Sequence, residues 1–309
     1  MPIATVTVGA LTGKGGAHVK PMSLRTVILL FALSVATVPS RAATTLLDEG
    51  YRQMYNLQFA EAHQTFHEFQ RLHPDDPMGP VSDAAAYLFS EFDRLHILQS
   101  EFFVHDQHFI TDHKLAPDPA VKRKFEAALE TTRGLASAAP AGRNALFASI
   151  LANGLHSDYL ALIEKRYVAS FKEMKAGRIM AERLLASDPQ CYDAWIAVGV
   201  ENYMLSVKPA PVRWLLRMAG GETDRALGLE KLKLTAEKGH YLAPFARLLL
   251  AVAALRDKDT ARARDILVGL TREYPRNPLY PLELARLNAL RGDAQSPALS
   301  VGAESEPRP

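Results

Sequence analysis

The chain has 309 residues, 48% apolar and 23% charged, which suits a soluble protein of one large or two ordinary domains. Lysine and arginine number 36 against 34 acidic residues, but four of the basic ones (Lys14, Lys20, Arg25, Arg41) fall within residues 1–42, which hold no acid. The remaining 32 basic against 34 acidic residues leave no net pull toward a phosphate backbone, so nothing calls for a nucleic-acid partner, and a single cysteine excludes an internal disulfide. Ala, Leu, Glu and Arg dominate and long β-branched alternation is absent, which predicts an all-α fold.

Taken in order, residues 1–21 precede a natural initiator, Met22, and read as an over-extended leader. Gly9 to Gly15 superficially matches a phosphate-binding loop. It is one residue short between the glycines, lacks Ser or Thr after Lys14 and precedes no helix. Residues 22–42 have the layout of a secretory signal peptide: a basic start at Arg25, an apolar core from Val27 to Val38, then Ser40-Arg41-Ala42 with small residues where a signal peptidase inspects. The core is too short to span a bilayer of ~30 Å. Retention as an uncleaved anchor is the alternative.

From residue 43 one helical module recurs. Ala62, Phe66, Phe69 and Pro74 stand at steps of four, three and five. Gly177, Ala181, Leu184 and Pro189 repeat those steps, as do Ala263, Leu267, Leu270 and Pro275. Such steps place three residues on one helix face, and the proline stops the helix. Between the copies the patterns predict a first hairpin over Thr44 to His73 and a helix over Val81 to Phe103. Further helices are expected from Asp118-Pro119, over Arg143 to Lys165, over Val212 to Ala219 and over Glu222 to Lys238. Pro278 to Arg291 caps the stack, and residues 292–309 read as a disordered tail.

Leu46, Gly50, Ala62, Phe66 and Pro74 resemble the pattern of a tetratricopeptide repeat (TPR), and Trp195, Val198 and Gly199 match its W-x2-L-G start. Gln53 and Asn202 stand where the family has tyrosine, and the module prolines are not spaced by multiples of ~34 residues, so divergent hairpins intervene. The resemblance implies an all-α solenoid of about twelve helices in antiparallel pairs over residues 43–291, with a right-handed superhelical curve. It also implies that Tyr51, Tyr55, Tyr203 and Met204 lie on inner helices, where they either line a protein-binding groove or pack between helices.

Three clusters compete for chemistry. His105, His108 and His113, with Asp106 and Asp112, have the composition of a metal site but fall in an interhelical segment where solvated polar residues are expected. His63 and His67 sit one turn apart on the first module helix, a spacing that could bind metal, but on a polar helix face they read as surface, and His96 as a hydrogen-bonded, partly buried residue. Val212 to Met218, with Arg213, Trp214 and Arg217, is apolar over most of its circumference; such a helix is usually buried, with membrane contact the alternative. Cys191, beside a helix start, reads as a packing residue. No HExxH or GxSxG motif is present.

The expectation that follows is an exported, non-enzymatic scaffold in the bacterial periplasm or cell envelope, without cofactor or metal, holding a protein or peptide partner in its concave groove. The alternatives are an envelope enzyme or metal-binding accessory using His105, His108 and His113, or an assembly or transport accessory that touches the membrane through Val212 to Met218.

Overall fold

The computed structural model describes residues 45–98 and 115–295, with side chains through Ala289. It is all-α, with no strand among the described residues. Twelve α-helices follow in order: α1 Leu46–Tyr55, α2 Phe59–Leu72, α3 Met78–Arg94, α4 Pro119–Ala138, α5 Arg143–Asp158, α6 Tyr167–Ser187, α7 Trp195–Ser206, α8 Ala210–Met218, α9 Arg225–Lys238, α10 Ala243–Arg256, α11 Thr260–Glu273 and α12 Leu279–Gln295. A π-helical turn, Tyr159–Ile163, extends α5, and a 3-10 turn, Tyr192–Ala194, opens α7. The leader, the signal pattern and the residues after Gln295 lie outside the described residues. Gly292 to Gln295, expected in the tail, continue α12.

The repeated module folds as its spacing requires. Ala62, Phe66 and Phe69 are the buried residues of α2, and Ala263, Leu267 and Leu270 those of α11; on α6 Gly177, Ala181 and Leu184 belong to the buried face. Each helix ends two residues before its proline. His73, Asp188 and Tyr274 stand at the junctions with ψ of 66, 82 and 69°, out of the α region because the proline ring excludes it. N-caps set the starts elsewhere. Thr45 and Asp48 form a reciprocal capping box on α1, and the Asp118 carboxylate accepts from the amides of Ala120 and Val121 on α4.

Helices pair as α1/α2, α3/α4, α5/α6, α7/α9 and α10/α11, each hairpin resting on the next, with α12 against α11. The two glycines of the sequence pattern are points of close approach. A Cβ on Gly50 would clash with the Phe66 ring, and one on Gly199 would meet Leu232 at 3.0 Å, so these positions let the two helices of a hairpin close. α8 is an insertion between the two helices of the fourth hairpin.

The stack also closes on itself. Tyr51 stacks on Tyr241 at 4.8 Å, Tyr55 lies 5.3 Å from Tyr274, and Phe89 meets Phe245 edge-on at 5.7 Å. The Tyr55 hydroxyl donates to the carbonyl of Tyr241 at 2.9 Å, and Asn277 Nδ2 donates to the carbonyl of Tyr55 at 2.9 Å. In return Asn56 Oδ1 accepts from the amide of Arg276. The first hairpin therefore seals against the turns before α10 and α12. An open superhelical trough would leave these aromatic rings in water; closing the stack buries Tyr51, Tyr55 and Tyr274 and partly covers the other three.

The helix predicted over Val81 to Phe103 differs in extent. α3 starts at Met78, where the Asp76 carboxylate receives the first amide, and ends at Arg94 because His96 adopts a left-handed conformation with φ of 58°. That turn also leaves His96 exposed, where partial burial was expected.

Candidate functional site: an apolar cavity inside the hairpin stack

The first helix of every hairpin turns one face inward, and these five faces surround a cavity of about 600 Å³. Tyr51 and Met54 come from α1, Ala85 and Phe89 from α3, and Leu151, Gly154 and Asp158 from α5. Val200 and Met204 come from α7, and Leu248 and Val252 from α10. Phe171 and Met174 of α6 and Val212 and Leu216 of α8 complete the walls.

α5 shows how the sequence builds this wall. Arg143–Ile163 is the one described helix long and apolar enough to cross a membrane by length and composition. Its apolarity has a different use here: one side packs on α4 and α6 while Leu151, Gly154 and Leu155 face the cavity. Asp158 is the sole acid in that run. It is half-buried, lines the cavity and has no hydrogen-bond partner among the described residues. Burial pushes its carboxyl pKa up to about 7. The π-helical turn begins at the next residue, a distortion that often marks functional positions in helices. The preceding residue is satisfied, Ser157 Oγ lying 2.9 Å from Ser170 Oγ and 3.1 Å from the Ser170 carbonyl.

Of the four expected groove residues, Tyr51, Tyr55 and Met204 line this cavity. Both tyrosines are otherwise buried, and desolvation raises their pKa values. Tyr203 points elsewhere: its backbone packs on Gly228 of α9 and the Arg225 guanidinium lies 5.9 Å from its ring centroid. Neighbouring residues on a helix lie about 100° apart, so Met204 faces in while Tyr203 faces α9.

The other candidates fare differently. His105, His108 and His113 lie outside the described residues. Among the described residues no group of His, Cys, Asp and Glu side chains is arranged to hold a metal. His67 is exposed, as expected of polar surface, while His63 is largely covered; His63 Nδ1 is 2.5 Å and His67 Nε2 3.1 Å from the two oxygens of the buried Asp83, which fastens α2 to α3. Cys191 is buried, and burial raises its thiol pKa, the setting of a packing residue. α8 corrects an expectation: none of its residues is buried, and Trp214, Leu215 and Met218 face outward.

Sequence reasoning missed Asp158 and the cavity. The available signal was one acid inside an otherwise apolar run of 21 residues, Arg143–Ile163. No family model matches this chain, and neither the curated proteins nor the solved structures contain a match to it.

Proposed function

We propose that the chain is an exported, non-enzymatic binding scaffold that holds an apolar ligand on the inner face of its hairpin stack. The cavity of about 600 Å³ carries this reading. It lies within the ~300–1,000 Å³ of small-molecule sites, and its walls are apolar with few polar groups, as in sites that bind by burial. Export is supported by the pattern of residues 22–42, and an inner-face site by the resemblance of the hairpins to TPR units. The contacts between α1 and the turns before α10 and α12 favour a compact apolar ligand, or the apolar end of a partner, over an extended peptide laid along an open groove.

Gly154 supplies the test. It lines the cavity, and a Cβ there meets nothing within 4 Å, so Gly154→Phe fills the space without a clash at its first atom. The neutral dye N-phenyl-1-naphthylamine is expected to bind the full chain with a bright emission. Gly154→Phe is expected to weaken that binding at least ~10-fold while the melting temperature holds. Unchanged dye binding in the variant would place the dye elsewhere and remove the proposal.

A further inference from the structure

α8 has two apolar faces. Val212 and Leu216 line the cavity, while Trp214, Leu215 and Met218 are 65, 63 and 71% exposed. Of nine large apolar side chains exposed among the described residues, this nine-residue helix carries four, so the exposure is concentrated and not the scatter normal on a soluble surface. A fifth, Tyr167, is half exposed and lines the same cavity, which puts part of the remaining patch at the cavity edge.

The helix is also held in place. Arg213 donates to the carbonyls of Ser206 and Lys208, Arg217 Nε donates to Thr223 Oγ1, and Lys175 Nζ donates to the carbonyl of Ala219. The exposed apolar face is thus presented by anchored backbone. Its charge has one sign: residues 207–221 contain Lys208, Arg213 and Arg217 and no acid. A short helix with an outward tryptophan, aliphatic neighbours and only basic charge suits the interface of an anionic bilayer. A protein partner or a second copy would satisfy the outer face. Neither would account for the same helix forming the wall of an apolar cavity, whereas a membrane supplies both the interface and the ligand.

We propose that α8 is a membrane-seated portal: its outer face rests in the interface of an anionic bilayer, and its inner face passes the acyl chain of a single-chain lipid into the cavity. This rests on the cavity being the ligand site. The cavity walls are almost wholly apolar, which suits the tail of such a lipid and not its head.

The test uses the full chain, the double variant Trp214→Asp/Met218→Asp, and Gly154→Phe. Both double-variant positions are largely solvent-exposed, so folding is expected to hold, as melting curves check. The wild type is expected to float with vesicles of equal parts phosphatidylcholine and phosphatidylglycerol, and to take up pyrene-labelled hexadecanoate from them. The double variant should stay at the bottom of the gradient and lose uptake from vesicles at least ~10-fold, yet bind the same probe offered free in solution. Gly154→Phe should float and take up none. Flotation of the double variant like the wild type overturns the portal. So does a wild type that does not float but forms a dimer the double variant lacks, since α8 is then a subunit contact. Failure of all three chains to bind the free probe instead removes the cavity as the ligand site, whatever the flotation shows.

Discussion

The Tyr51 ring stacks on Tyr241 at 4.8 Å between centroids, although 190 positions separate them in the chain. Tyr51 also meets Phe66 edge-on at 5.6 Å, and its hydroxyl accepts from Ser82 Oγ at 3.2 Å. This one side chain joins the first hairpin, the second and the turn before α10. Tyr51→Ala removes all three contacts and is expected to cost about 3–5 kcal/mol, as buried aromatic truncations do. Urea unfolding measures the loss, and small-angle scattering of the still-folded variant should show an enlarged radius. A cost under ~1 kcal/mol with an unchanged radius would mean that the stack closes without this ring.

Asp193 is a second long-range tie. Its buried carboxylate accepts from the amides of His240, Tyr241 and Leu242 at 2.9–3.1 Å, which pins the α9–α10 turn to the start of α7. Hydrogen bonds to a charged group are worth about 1.5–3 kcal/mol, and orphaned buried amides add to the loss. Asp193→Ala is therefore expected to lower stability by about 3 kcal/mol and to speed amide exchange at residues 240–242 more than within α10. An equal change in the turn and in α10 would show that the turn is held by other contacts.

Asp158 gives a pH dependence. Its folded pKa of about 7 lies above the ~3.9 of an unfolded aspartate, so between these values the folded chain holds a proton that the unfolded chain has released. Stability from this group is full below pH ~4, falls as pH rises toward 7 and is level beyond. The full linkage is about 4 kcal/mol; half-burial reduces it to roughly 2. Asp158→Asn lacks the ionisation, so it should match the wild type near pH 4 and exceed it by about 2 kcal/mol at pH 8. Urea midpoints at the two values check this, and a difference that does not change with pH would contradict it.

How much of this was legible in the sequence follows from the range of each interaction. The stripes Ala62-Phe66-Phe69 and Ala263-Leu267-Leu270, with their terminating prolines, are local consequences of helix geometry, and each is buried where the spacing puts it. The ties of Tyr55 to Tyr241 and Asn277 span 186 and 222 positions and leave no periodic trace. The cavity was hidden for another reason: Leu151 and Val200 look the same in sequence whether they face a filled core or an empty one. α8 was misjudged likewise, because periodicity reports which faces are apolar and not what covers them. Glycine at 154 and the solitary acid at 158 were the visible departures from a plain core helix.

The central claim is that the inner faces of the five hairpins enclose a site for an apolar ligand. Native mass spectrometry of the full chain, purified without added detergent, tests it most directly when wild type and Gly154→Phe are run side by side. The expected result is a wild-type species heavier than the polypeptide by one apolar molecule, released by organic solvent, and a Gly154→Phe chain at its bare mass. Bare masses for both, or equal loads on both, would contradict it.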